Sequence, residues 1–162
     1  MKIKLTLLLT FAIAGILLFS VTKADACTEI LVKAKDASVV NVRSMEFEVD
    51  LKSALNVQPR GAEFTSIVNG KAIGLKWTNK YGFVYMNAMG YPVALDGLNE
   101  SGLSFGALYL PGFTQYQTVP VGEESKGLWN LEVGLWILGN FSTVEEVRAA
   151  VSSVYVCQNA TI

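Results

Sequence analysis

The sequence predicts an α+β domain behind an export leader, and three observations carry that prediction. Short runs rich in β-branched and aromatic residues, bounded by Gly, Pro, Asn or Asp, fill residues 28–108. Two helical patterns follow, over 128–138 and 142–151. Ahead of both stands a basic-then-apolar segment ending in Ala24-Asp25-Ala26. Strands first and helices after point to layered sheet and helix.

The leader comes first. Lys2 and Lys4 give a positive start, Leu5 to Val21 is an uncharged apolar run of 17 residues, and Ala24 and Ala26 supply an A-x-A cleavage site. Cleavage after Ala26 makes residues 1–26 a signal peptide and Cys27 the first residue of a mature domain over 27–162. The expected location is exported, periplasmic or secreted, with no membrane contact once the leader is gone. Three other outcomes stay open. A run of 17 apolar residues falls just short of a usual membrane span, so an uncleaved anchor is one. A lipidated cysteine is the second, although Ala24 and Asp25 suit it poorly. A disulfide between Cys27 and Cys157, which an oxidising compartment permits, is the third.

Composition then removes whole classes of function. The formal net charge is -1, so no basic field invites nucleic acid or anionic lipid. Histidine is absent, which excludes a Ser-His-Asp triad, a Cys-His pair and every histidine-containing metal site. Two cysteines alone do not build a structural zinc site, and neither a metal nor a cofactor is expected. Catalysis must rest on Cys, Asp, Glu, Arg, Lys, Tyr, Asn or an α-amine. An N-terminal cysteine combines a thiol nucleophile with a free amine able to act as base.

A β-hairpin opens the mature chain: Thr28 to Ala34 alternates in polarity, Lys35 to Ser38 is turn-like, and Val39 to Ser44 returns. A loop of three or five residues sets Cys27 opposite Met45, with Arg43 on the same face. A loop of two or four sends Arg43 to the other face. Further strands are expected at Ser53–Val57, Ala72–Trp77, Gly82–Met86, Pro92–Leu95 and Leu103–Leu108, with a turn over Asp96–Gly102. Leu128, Leu131, Leu135 and Leu138 recur at helical spacing, with Trp129 and Trp136 filling the core. Ser142-Thr143-Val144-Glu145 reads as a capping box that opens a second helix. A strand begins near Ser153, and the pattern then breaks off at Ile162 like an interrupted domain.

These segments resemble the choloylglycine hydrolase family, the bile-salt hydrolases and penicillin V acylases. Carrying the resemblance are Cys27-Thr28, Arg43-Ser44-Met45-Glu46, Lys80-Tyr81-Gly82, Tyr91-Pro92, Asp96 to Leu103, Leu108 to Gly112 and Leu135 to Val147, in that order. It implies an N-terminal-nucleophile hydrolase of the four-layer α-β-β-α kind, incomplete here because family members run to about twice this length. It further implies Cys27 as nucleophile, Arg43 as the arginine that contacts it, and Glu46 where many members have an aspartate. Tyr109 falls where penicillin V acylases have tyrosine and typical bile-salt hydrolases have asparagine, which leans the substrate away from bile salts. A later asparagine and arginine of the family site have no counterpart in these residues.

The implied chemistry is amide hydrolysis through a thioester on Cys27. A nearby guanidinium favours a thiolate by Coulomb attraction, a role open to Arg43. Glu46 is expected to hold Arg43 or the α-ammonium, and the α-amine to pass a proton to the leaving amine. Tyr109 is expected to line the acyl pocket or donate near the scissile carbonyl. Plainer readings stand beside these: Arg43 and Glu46 as a surface ion pair, Tyr109 as a packed strand end, Asp96 and Asn99 as turn formers, and Cys157 as a buried small residue. The triplets at Asn99, Asn140 and Asn159 fit a glycosylation pattern without a known glycosylating host. The expected partner is a small amide with an apolar acyl group: a phenoxyacetyl-type penicillin, an acyl homoserine lactone or a bile salt. An assembly of identical copies is allowed. The rival reading is a non-catalytic exported protein, either a truncated remnant or a binding domain.

Overall fold

A computed structural model describes residues 27–110 and 112–159. The expected leader over 1–26 lies outside these residues. Strand β1 (Glu29–Lys33) pairs antiparallel with β2 (Val39–Arg43), with Glu29 opposite Arg43 and Lys33 opposite Val39. The intervening loop, 34–38, is odd in length, so the register that keeps Arg43 on the face of Cys27 is the one formed. Asp36 holds the loop by accepting from the Ser38 amide (3.0 Å) and hydroxyl (2.7 Å), and these bonds keep its carboxyl below the usual range. Ala37 takes the left-handed φ of 70° that the reversal requires.

Strands β3 (Leu55–Gln58), β4 (Glu63–Thr65), β5 (Lys76–Thr78), β6 (Phe83–Ala88), β7 (Tyr91–Asn99) and β8 (Ser104–Gly106) follow. The main sheet has the order β3-β6-β7-β8, antiparallel throughout, while β4 and β5 form a separate pair. The expected strands are all present with shifted ends, and β4 is an addition.

Two of the expected elements need correction here. β7 runs on through Asp96, Gly97 and Leu98, so the turn occupies only the positions after Asn99. Gly97 is a strand residue that makes room for a helix: a side chain there would collide with Leu138 and sit 2.8 Å from the Val84 carbonyl. The leucine pattern from Leu128 to Leu138 likewise is not one helix. Leu128 lies in β9 (Gly127–Trp129), Leu131 in a 3₁₀ turn (Asn130–Glu132), and helix α1 spans only Val133–Asn140. Leu128 in the strand and Leu135 and Leu138 in the helix face one core, so apolar spacing persists across a change of backbone, while Leu131 between them is only half-buried. β9 pairs parallel with β10 (Tyr155–Cys157), and that ladder holds Leu128 extended.

Helix α2 (Val144–Ala150) starts one residue later than the Ser142–Glu145 box implies. Thr143 is the N-cap, its hydroxyl accepting from the Glu146 amide (3.2 Å) while Glu146 accepts from the Thr143 amide (3.3 Å). The core gathers Trp77, Phe83, Tyr85, Ala94, Leu128, Leu135, Trp136, Leu138 and Val154, joining α1 to one face of the main sheet and to β5 and β9. Asn99 is buried within it, its Nδ2 donating to the carbonyls of Leu138 (3.0 Å) and Phe141 (2.7 Å) and its Oδ1 accepting from the Ser101 and Leu103 amides. Asn99 therefore forms the expected turn and ties it to the end of α1, with its amide unavailable for glycosylation in the folded state. Trp136 is buried as expected, whereas Trp129 is only half-buried.

Candidate active site

The hairpin β1–β2 lies over the sheet face opposite α1. Alternation along β7 explains this, since Gly97 points at Leu138 and Asp96 therefore points the other way, toward the hairpin. Beyond the regular ladder the Ser44 amide donates to the Thr28 carbonyl (2.9 Å) and the Thr28 amide to the Ser44 hydroxyl (3.0 Å). Pairing thus continues to the head of the hairpin, and Cys27 comes to lie across from Met45, one same-face pair along from Arg43. Cys27 is half-buried, with its thiol 4.0 Å from the carbonyl oxygen of Glu46.

Arg43 is the most constrained group in this region, its side chain only 4% exposed. Its Nε and Nη2 donate to Oδ2 of Asp96 (3.1 and 2.5 Å), Nη2 also to the Leu95 carbonyl (3.4 Å), and Nη1 to the Ala107 carbonyl. Arg43 is therefore no surface ion pair, and its partner is not the expected Glu46. Glu46 lies in coil three residues past the end of β2, exposed, and makes no ion pair among the described residues. It meets the thiol through its backbone. Asp96, assigned by the sequence to a turn, was missed as a site residue; the only signal was an aspartate in a segment that could equally extend β7.

Around these groups lie two hollows. One, of about 390 Å³, separates hairpin from sheet and is lined by Val39, Asn41, Arg43, Met86, Asp96 and Leu98 among others. The other, of about 280 Å³, runs along the chain after Arg43 and is lined by Met45, Phe47, Val49, Asp50, Leu51 and Ser53. Tyr109 is in coil after β8 rather than at a strand end, and 60% exposed. Its ring centre is 6.1 Å from that of Phe47 with the planes at 50°, which sets it beside the second hollow.

Cys157 belongs elsewhere. It is buried in β10, unpaired like Cys27, and burial pushes its thiol above the usual range. The disulfide alternative is thus not formed. Near it Glu132 accepts from the Ser66 hydroxyl (2.5 Å) and the Ile67 amide (3.3 Å), and Ser66 accepts from the Trp129 amide (2.8 Å). Burial raises the Glu132 carboxyl, outweighing these bonds. This cluster ties the 66–67 segment to Trp129 and Glu132.

The fold matches that of the N-terminal-nucleophile hydrolases. The family model for linear amide C–N hydrolases, choloylglycine hydrolase family, covers residues 27–162, and the chain belongs to that family. It is 30% identical to the bile salt hydrolase/transferase of Clostridium perfringens over 135 residues, 80% of this chain and 39% of that protein. With the penicillin V acylase of Pectobacterium atrosepticum it shares 31% identity over 114 residues, 66% of this chain and 29% of that one. Among solved structures, a cysteine-to-alanine mutant of the conjugated bile acid hydrolase from Clostridium perfringens superposes with a TM-score of 0.67 at 27% identity, over 82% of this chain and 39% of that one. An arginine-to-leucine variant of the same enzyme gives 0.65 at 26%, over 80% and 38%. The penicillin V acylase of Agrobacterium tumefaciens gives 0.64 at 32%, over 82% and 40%. The chain matches between 29% and 40% of the length of these relatives.

Proposed function

We propose that this chain is the nucleophile-bearing part of an exported hydrolase that cleaves linear amides with an apolar acyl group. The carrying observation is the hairpin register, which puts Cys27 and the buried Arg43 on one face. In the two Clostridium perfringens structures the substituted cysteine and arginine stand sixteen residues apart, the separation of Cys27 and Arg43, and this supports the same pairing. Removal of residues 1–26 would free the Cys27 α-amine.

The α-amine takes the Cys27 thiol proton as the sulfur adds to the scissile carbonyl carbon, making an α-ammonium and a tetrahedral oxyanion. Its collapse expels the amine, which takes a proton from the α-ammonium, and leaves a thioester on Cys27. Water, giving its proton to the α-amine, adds to the thioester and releases the acid and the thiol. The acyl group fits the hollow of Met45, Phe47, Val49 and Leu51, with Tyr109 at its edge. Penicillin V, bile-salt and acyl homoserine lactone amides share such a group, and Tyr109 inclines the choice to the phenoxyacetyl type.

A second reading, that the chain alone is catalytically silent, is favoured by its covering 39% of the Clostridium perfringens enzyme. An N-terminal nucleophile needs its oxyanion stabilised, and one lost donor costs about 100- to 1000-fold in rate. Both readings meet in one assay of the exported protein on penicillin V, a glycine-conjugated bile salt and an acyl homoserine lactone. Slow hydrolysis that disappears in Cys27→Ser is expected. Hydrolysis that survives Cys27→Ser would overturn the proposed nucleophile.

A further inference from the structure

Asp96 does more than its place after a bulge in β7 would suggest. Its Oδ2 takes two Arg43 donors, Nε at 3.1 Å and Nη2 at 2.5 Å, while the carbonyls of Leu95 and Ala107 take one each. A guanidinium has five N–H donors. Those contacts occupy four, and the one left is on Nη1. With the Arg43 side chain 4% exposed, water screens its charge little, and the group that matches that charge is Asp96.

Two other carboxylates border this region. Glu29, opposite Arg43 in the hairpin, is held by the Asn41 amide (Nδ2 to Oε1, 2.6 Å). A methyl at Gly106 would be in ordinary contact with Glu29 Oε1 (3.4 Å), Asp96 Oδ1 (3.4 Å) and Arg43 Cδ (3.5 Å), so the three side chains converge beside this glycine. Glu46 is exposed and offers the thiol its carbonyl. Only Asp96 of the three makes an ion pair with Arg43.

We propose that Asp96 is a positioning residue that sets how strongly Arg43 acts on the Cys27 thiol. It aims the guanidinium so that one Nη1 proton remains for the reacting groups, and it cancels most of the charge Arg43 would present. The thiol then faces a near-neutral pair rather than a lone cation. This rests on reading Cys27 and Arg43 as one site, but its test needs no turnover, so a failure here is separable from a failure of the hydrolase reading.

The test is iodoacetamide alkylation of the full chain at neutral pH, followed at each cysteine by peptide mass spectrometry. Cys157, buried, serves as the internal reporter of unfolding. Asp96→Asn uncovers the cation and is expected to alkylate Cys27 about three- to tenfold faster than wild type; Arg43→Gln leaves a bare carboxylate and slows it by a similar factor. The double variant Asp96→Asn with Arg43→Gln, which swaps an ion pair for two amides, is expected within about twofold of wild type. Cys27 rates that move in the same direction in both single variants, or in neither, overturn the proposal. Should Asp96→Asn lose the protection of Cys157, the double variant decides: a Cys27 rate as low as that of Arg43→Gln would mean Arg43 acts as a lone cation.

Discussion

The two faces of the main sheet are covered by different means. On one, α1 lies so close that a methyl at Gly134 would come within 2.6 Å of the Ala94 carbonyl, and Phe83, Tyr85, Leu135 and Leu138 are buried between them. On the other, Leu55, Val57, Val84 and Leu98 remain open to solvent, and the hairpin above them keeps Ile30, Leu31, Val32, Val39, Val40 and Val42 more than half exposed. Apolar burial holds the first face together. A buried cation, Asp96 and two carbonyls hold the second. The lesson is that the rigid half supplies Asp96, and the thiol-bearing half is positioned by polar contacts that a single substitution removes.

Breaking the helix-covered face is expected to have the largest effect. Leu138 is fully buried, and Leu138→Ala should cost about 4 kcal/mol, read as a lowered urea midpoint of the whole domain. Breaking the hairpin's attachment comes next. Arg43→Leu leaves the Asp96 charge unpaired, which costs about 3 kcal/mol, toward the low end for a broken buried pair because Asp96 is 32% exposed. Its signature differs from the first: amide exchange should quicken in 29–43 while β6 and β7 stay protected. A global loss of protection in Arg43→Leu would erase the contrast between the two faces.

A smaller effect sharpens the same contrast at the helix side. Thr143→Ala removes the N-cap of α2 and should cost about 1 kcal/mol. Smaller still is Val40→Thr on the outer hairpin face, expected within about 0.5 kcal/mol of wild type because Val40 is already 53% exposed. A pH series adds a sign. Burial raises the Glu132 carboxyl above its unfolded value, so its favourable contribution is complete below about pH 4.5 and is lost as pH rises through the raised value. Glu132→Gln should therefore flatten the fall in melting temperature above that pH; a steeper fall would mean its hydrogen bonds outweigh burial.

Much of this was legible in the residues themselves. The alternation of Thr28–Ala34 and Val39–Ser44 announced the hairpin, and parity reduced its register to two families, of which the five-residue loop selects one. Local chemistry also marked the cap of α2 to within one residue. Legibility failed where the deciding contact was distant. Arg43 finds Asp96 fifty-three residues away, and nothing local tells an Asp-Gly that continues a strand from one that turns it. The answer lies in α1, whose Leu138 needs the space at Gly97 and so requires β7 to run on. The long helix read over 128–138 failed for a related reason, since a strand and a helix can both present leucines to one core.

Intact mass with N-terminal sequencing of the exported protein tests most directly the proposal that Cys27 acts as an N-terminal nucleophile. A chain beginning at Cys27, with an unmodified thiol and a free α-amine, is the expected result. A chain beginning at Met1, a diacylglycerol on Cys27, or Cys27 joined to Cys157 would contradict it.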